Sequence, residues 1–211
     1  MDERHAMGIT HDRFERVRRE WGDVGSWAVW AEAAPGHGVK DGVGDLSVLD
    51  PEHDSRVLDI VNPAVVMLGI NCSGAPTPAP FSNFHDPSPR ANHFKLRHAY
   101  RGTPYWGAYL TDAFKGIDCY GAKRTIAFLR AHPSIVRDQL GRLDDELAAV
   151  GSDDPLVIVF GADLFGLLSE NWHDSARLIK VPHYAHYLSK EDYREQALRA
   201  IDEYLVSGGD A

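Results

Sequence analysis

The sequence predicts an α/β protein, a three-layer α/β/α domain around a mainly parallel, four-stranded central sheet. Three observations predict it. The apolar runs Ala64–Ile70 and Leu156–Phe160 are continuous rather than alternating, as in parallel strands buried on both faces. They are strand-sized, and segments with helical apolar spacing separate them. The alternation of strand and helix continues to the end of the chain, which is the pattern of a parallel sheet with crossover helices.

Taken in order, residues 11–21 set Phe14, Val17 and Trp21 at helical spacing, with Thr10 or Asp12 as the cap. Residues 33–56 are rich in Gly, Pro and Asp and read as a long irregular segment, followed by a short helix around Ser55–Val61. The first strand, Ala64–Ile70, runs into a polar turn and then a loop holding Pro76, Pro78, Pro80, Pro87 and Pro89. A helix is expected over Asn92–Arg101 and a second strand over Ala108–Thr111. Pro133 suits the first turn of a helix reaching Val150, with Gly151 at its end. Leu156–Phe160 is the third strand, Ala162 to about Ser169 a helix, and Arg177–Val181 the fourth strand. The last helix starts near Ser189 and offers Tyr193, Ala197, Ile201 and Leu205 as its inner face. The expectation is one domain over 1–211, divided into an N-terminal helix with an irregular extension (1–60), a core (61–190) and a C-terminal helix (191–211).

The 211 residues are 44% hydrophobic and 25% charged, an ordinary globular composition. The formal charge of −9 argues against a protein that coats nucleic acid through bulk positive charge, while leaving room for one local basic face. No apolar run approaches the roughly 18–20 residues of a membrane span, and the charged start Met1–His5 does not read as a secretory signal. Two cysteines, Cys72 and Cys119, suit a reduced cytoplasmic protein. A monomer without membrane partner is expected.

In a parallel sheet the ligand sits beyond the carboxyl ends of the strands. Four stretches therefore matter. Gly69–Gly74 is a tight polar turn that is neither a Walker loop nor a dinucleotide fingerprint; a plain Asx bend is its structural alternative. Pro80–Asp86 gathers Phe81, Asn83, Phe84, His85 and Asp86; either aromatic can stack on a base or anchor the loop in the core. Asp112, at or just past the second strand's end, can accept two hydrogen bonds from a ligand edge or cap a helix. His183 can polarise a carbonyl, whereas His183 with His186 is weak evidence for zinc, and neither a metal nor a cofactor is expected. Between these stretches, Arg90–Arg101 carries Arg90, Lys95, Arg97 and Arg101 and no acid, so it is expected to frame the strand-end face. The acids should gather elsewhere, notably at Asp144–Glu146 and Asp153–Asp154.

Over roughly residues 60–190 these pieces resemble the uracil-DNA glycosylase superfamily. Gly69-Ile70-Asn71 is similar to motif one of the mismatch-specific branch, typically Gly-Ile-Asn-Pro-Gly, with Cys72-Ser73 in place of its Pro step. Tyr109–Lys115 is similar to the second-strand segment, Val157–Ala162 to the strand ending in Gly-x-x-Ala, and His183 stands where motif two begins, with Tyr184-Ala185 in place of Pro-Ser. The resemblance implies a four-stranded parallel sheet flanked by helices, and monofunctional hydrolysis of the bond between deoxyribose and a flipped-out base. It implies that Asn71 positions the attacking water and His183 supports charge on the leaving base; independently of the resemblance, the local sequence offers His85 and Asp86 as alternative water activators. Ile70, Cys72, Phe81 or Phe84, and Asp112 would hold the base, and Ser73, Arg97, Arg101, Tyr187 and Lys190 would contact DNA, Tyr187 as the wedge.

One departure bears on the substrate. Where the family usually has a base-reading Asn, this chain has Asp112. An ionised carboxylate offers acceptors only, so it suits an exocyclic amine better than the N3–H and O4 edge of uracil. The expected substrate is DNA with a damaged, mismatched or modified base other than plain uracil. The competing expectations are a catalytically silent base- or DNA-binding module of the same fold and a nucleoside or nucleotide hydrolase.

Overall fold

The computed structural model describes residues 8–72, 78–117, 121–172 and 177–208, and only the backbone of 71–72. Among them are seven α-helices and one five-stranded mixed sheet. The sheet order is β1-β3-β2-β4-β5, with β1 Ser26–Trp27, β2 Asn62–Cys72, β3 Ala108–Lys115, β4 Leu156–Phe160 and β5 Arg177–Val181. Strands β2 to β5 are mutually parallel, and β1 pairs antiparallel with the edge of β3. The expected four-stranded sheet is thus extended by a two-residue strand too short to show a period in sequence.

The parallel strands bury both faces. On β2, Val66 and Leu68 face one apolar cluster and Val65 and Met67 the other; on β4, Val157 and Val159 alternate in the same way with Ile158 and Phe160. The first cluster is closed by α1 (His11–Trp21), α4 (Ala122–Ala131), α5 (Pro133–Val150) and α6 (Ala162–Asn171). The second is closed by α3 (His93–Tyr100) and α7 (Lys190–Val206). A single-turn helix, α2 (Val57–Ile60), leads into β2.

Local signals explain most boundaries. Thr10 caps α1 by accepting from Arg13 N–H at 3.3 Å, and Ser189 caps α7 by accepting from Asp192 N–H at 2.9 Å. Gly151, at φ +90°, stops α5 in the left-handed conformation that only glycine adopts without strain. Three expectations need correction. Strand β3 runs four residues past Thr111, to Lys115, so Asp112 lies inside it. Helix α4 carries too short an apolar stripe to show a period in sequence, since Thr125, Ile126 and Leu129 are its buried residues. Leu205 is half exposed, so the inner face of α7 ends at Ile201.

Glu146, one of the acids expected away from the strand-end face, is fully buried against the opposite face of β3. Its carboxylate accepts from Tyr109 Oη and Thr111 Oγ1, each at 2.8 Å, and pairs with Lys115 Nζ. Helix α5 is thereby locked to one face of β3 by a charged group whose acceptors are engaged by three donors. Breaking such a buried pair on one side typically costs about 3–5 kcal/mol. Glu146→Ala should therefore lower unfolding free energy by about that amount in urea titrations, and Glu146→Gln by less; an alanine variant as stable as the parent would contradict this role.

Candidate functional site

At the carboxyl ends of the strands, side chains from five segments meet on the α3–α7 face of the sheet. The parallel register sets Gly69 of β2 opposite Asp112 of β3. A Cβ at Gly69 would stand 2.2 Å from Asp112 Oδ1 and 3.3 Å from Phe84 Cζ. Only glycine leaves room for the carboxylate there. Asp112 is 7% exposed and accepts from Asn83 Nδ2 at 3.2 Å; the same amide group donates to Val24 O at 2.7 Å.

The segment carrying Asn83 is unusual in its backbone. Phe81 and Phe84 have φ of 66° and 64°, a left-handed conformation that bulky residues seldom adopt. The two rings go to opposite sides of the sheet. Phe81 packs edge-on to Phe14 at 5.3 Å in the first apolar cluster. Phe84 lies in the second cluster, with ring centroids 5.8 Å from His93 and 6.5 Å from Tyr184. Of the two aromatics, Phe84 belongs to the site and Phe81 is a core anchor.

His93, from the first turn of α3, lies 5.4 Å from the Tyr184 ring. His183, just after β5, stacks on Tyr184 at 4.5 Å. Each imidazole accepts a backbone N–H at Nδ1, His93 from Asp86 and His183 from Ala185, both at 3.1 Å. Their neutral rings therefore carry the proton on Nε2 and act as donors. Burial, then the neighbouring His85, pushes His93 down to about 4; burial, then His186, pushes His183 down to about 4. Burial and the negative charge of Asp112 raise the Tyr184 phenol, which stays protonated. The cluster thus offers a carboxylate acceptor, two neutral imidazole donors and an aromatic wall, a set that suits a planar polar heterocycle.

The other sequence-selected residues distribute as follows. Asn71 and Cys72 close β2, Asn71 in register with Phe114; their side chains, and all of Ser73, lie outside the described residues. Ile70 packs against the first apolar cluster, so its side chain faces away from Asp112. His85 is 2% exposed, with Nε2 2.9 Å from Val29 O and Nδ1 within 3.2 Å of Ser26 Oγ and Asn83 O. Both ring nitrogens face protein atoms, which corrects its expected part as a water activator. Asp86 is exposed and its carboxylate accepts from Ser88 N and Oγ; it reaches the cluster only through its backbone N–H to His93. Tyr187 is fully exposed in the loop after β5.

The basic segment is also corrected. Lys95 is buried and donates to His186 O at 2.9 Å, tying α3 to the loop of His183. Arg97 is buried and donates to the carbonyls of Ala31, Asp41 and Val39. Arg101 pairs with Glu32, and Lys190, at the start of α7, pairs with Glu191. Arg97, Arg101 and Lys190 nonetheless line one groove between α3 and α7. Asn83, His93 and Tyr184 carry more of the cluster than sequence reasoning assigned them. Their sequence signals were adjacency to Phe84, the start of a predicted helix, and adjacency to His183.

Among the described residues no group of three or more His, Cys, Asp or Glu is placed to hold a metal ion, and no helix is long and apolar enough to cross a membrane. No protein-family model, curated protein or solved structure matches the chain.

Two outcomes follow from the cluster. Between pH 6.5, the ordinary histidine value, and about 4, the unfolded chain binds protons that native His93 and His183 refuse. Their contribution to stability is therefore complete above pH 6.5 and declines as pH falls toward 4. An NMR titration of the imidazole resonances should find both rings neutral at pH 5.5; midpoints near 6.5 would contradict the burial argument. Gly69→Ala should displace the Asp112 carboxylate and cost about 1–3 kcal/mol, as overpacking does; a variant with unchanged urea midpoint would contradict the close contact.

Proposed function

We propose that the chain is a monofunctional DNA glycosylase with a uracil-DNA glycosylase-like fold, hydrolysing the N-glycosidic bond of a flipped-out base other than plain uracil. The observation that carries the reading is the convergence of Asp112, Phe84, His93, His183 and Tyr184 at the carboxyl ends of the parallel strands. The parallel order β3-β2-β4-β5, with helices on both faces, supports the fold half of the proposal.

In this reading the base lies against Phe84 and Tyr184. Asp112 accepts from an exocyclic amine, and an imidazole N–H of His93 serves a neighbouring acceptor on the ring. Asn71 orients water toward C1′. An amide is a poor base, so the reaction depends on the leaving group: the C1′–N electron pair departs with the base while His183 Nε2–H donates to the negative charge that builds there. Water adds to the oxocarbenium-like sugar, and its proton is released to solvent or the departing base.

A second reading, a catalytically silent base-binding module, is favoured by the placement of His85 and Asp86, since both residues selected as water activators are engaged elsewhere. A panel of oligonucleotides, each with one altered base, separates the two. The proposal expects alkali-labile abasic sites at an amine-bearing base, with the rate lowered about a hundredfold or more by His183→Ala or Asn71→Ala. Binding without base release would favour the silent module. Efficient uracil excision by the parent protein, not improved by Asp112→Asn, would overturn the substrate assignment.

A further inference from the structure

We propose that the groove between α3 and α7 is a second binding site, for a phosphate group carried either by a small phosphorylated molecule or by a nucleic-acid strand. The cavity holds about 380 Å³ and is lined by Arg97, His98 and Arg101 of the α3 segment, Lys190 and Arg194 of α7, and Glu32. Four cations thus face one carboxylate in a chain whose formal charge is −9. This concentration of positive charge runs against the bulk balance and is the complement of a multiply charged anion.

The way the two deeper arginines are held makes the charge available. Arg97, 7% exposed, donates to Ala31 O at 2.5 Å and to Asp41 O and Val39 O at 2.7 Å. Arg194 Nη1 donates to His98 O, Ala99 O and Arg101 O at 2.7, 2.6 and 3.2 Å. Carbonyl dipoles orient a guanidinium without neutralising it, so both groups keep their net charge in place. The Asp41 carboxylate attracts Arg97 through space, while its own oxygens are engaged by Ala34 N–H and His37. At the rim, Arg101 pairs with Glu32, both solvated, and half-buried Lys190 pairs with exposed Glu191; such rim pairs contribute little, so an incoming anion can displace their carboxylates at small cost. His98 registers the same field: burial and then the charges of Lys190 and Arg194 hold it below its ordinary value, against the opposing pull of Glu191. Four positive charges held around a cavity of ligand size suit a multiply charged phosphate group better than a singly charged carboxylate.

This inference does not rest on the base-binding reading, because the first probe carries no base. The full chain is titrated with inorganic pyrophosphate at low ionic strength, followed by calorimetry and by the His98 ring resonances. Saturable binding that shifts His98 is expected, weakened about tenfold by Lys190→Ala, as loss of one charge-assisted contact predicts. Glu32→Gln, which removes the competing carboxylate at an exposed position, should tighten it. A second arm uses an undamaged single-stranded oligonucleotide. Oligonucleotide binding that responds to the same two substitutions assigns the site to a strand, and pyrophosphate binding alone assigns it to a small phosphorylated ligand. Absence of saturation with both probes, or binding indifferent to both substitutions, overturns the proposal.

Discussion

A carboxylate seated over a glycine organises the candidate site. Asp112 projects from the middle of β3, and the register of β3 against β2 brings it over Gly69, where any Cβ would collide with Oδ1. Once this group is buried it has to be hydrogen-bonded, because an unsatisfied charge is costly. Asn83 supplies one such bond, and Asn83 in turn sits in a loop whose two phenylalanines adopt left-handed backbone angles. The same loop delivers the backbone N–H of Asp86 to His93 and so orients that ring. Register, glycine, carboxylate, strained loop and imidazole form one chain of dependence, each link requiring the one before it.

The opposite face of β3 carries a second buried carboxylate with a different task. Glu146 gathers Tyr109, Thr111 and Lys115, the residues that alternate with Leu110 and Asp112 along the strand. One face is a closed polar lock holding α5 to the sheet, while the other carries the acceptor of the candidate site. Rigidity on the first face keeps the second in place, since a shift of β3 would break both sets of bonds at once.

The cations divide in a comparable way. Lys95 and Arg97 look from their spacing like a solvated basic helix face, yet both are buried donors to backbone carbonyls from distant segments. Arg194 does the same from α7, stapling the end of α3. These residues hold the irregular segment 31–41 and the loop after β5 against α3, and their charge collects in one groove. The formal −9 is therefore a poor guide to the local field on this side of the protein.

How much was legible in the sequence differed with the range of the forces involved. Helices α1, α5 and α7 and strands β4 and β5 follow from periodicity and from Thr10, Pro133, Gly151 and Ser189, all of which act on neighbours a few residues away. The place of His183 just after β5 is legible in the sequence, whereas Asp112, expected at or just past a strand end, lies inside β3. By contrast, the two-residue β1 exists only because the edge of β3 is there to pair with. The choice of Phe84 over Phe81, the sealing of His85, the burial of Glu146 and the use of Arg97 as an internal donor depend on contacts between residues far apart in the chain. What the sequence by itself determined was the α/β class and the order of most elements, because local periodicity and capping act within a turn or a strand. Only the tertiary structure decided which polar groups are buried and which face the site, because desolvation and pairing are set by neighbours that the linear order does not specify.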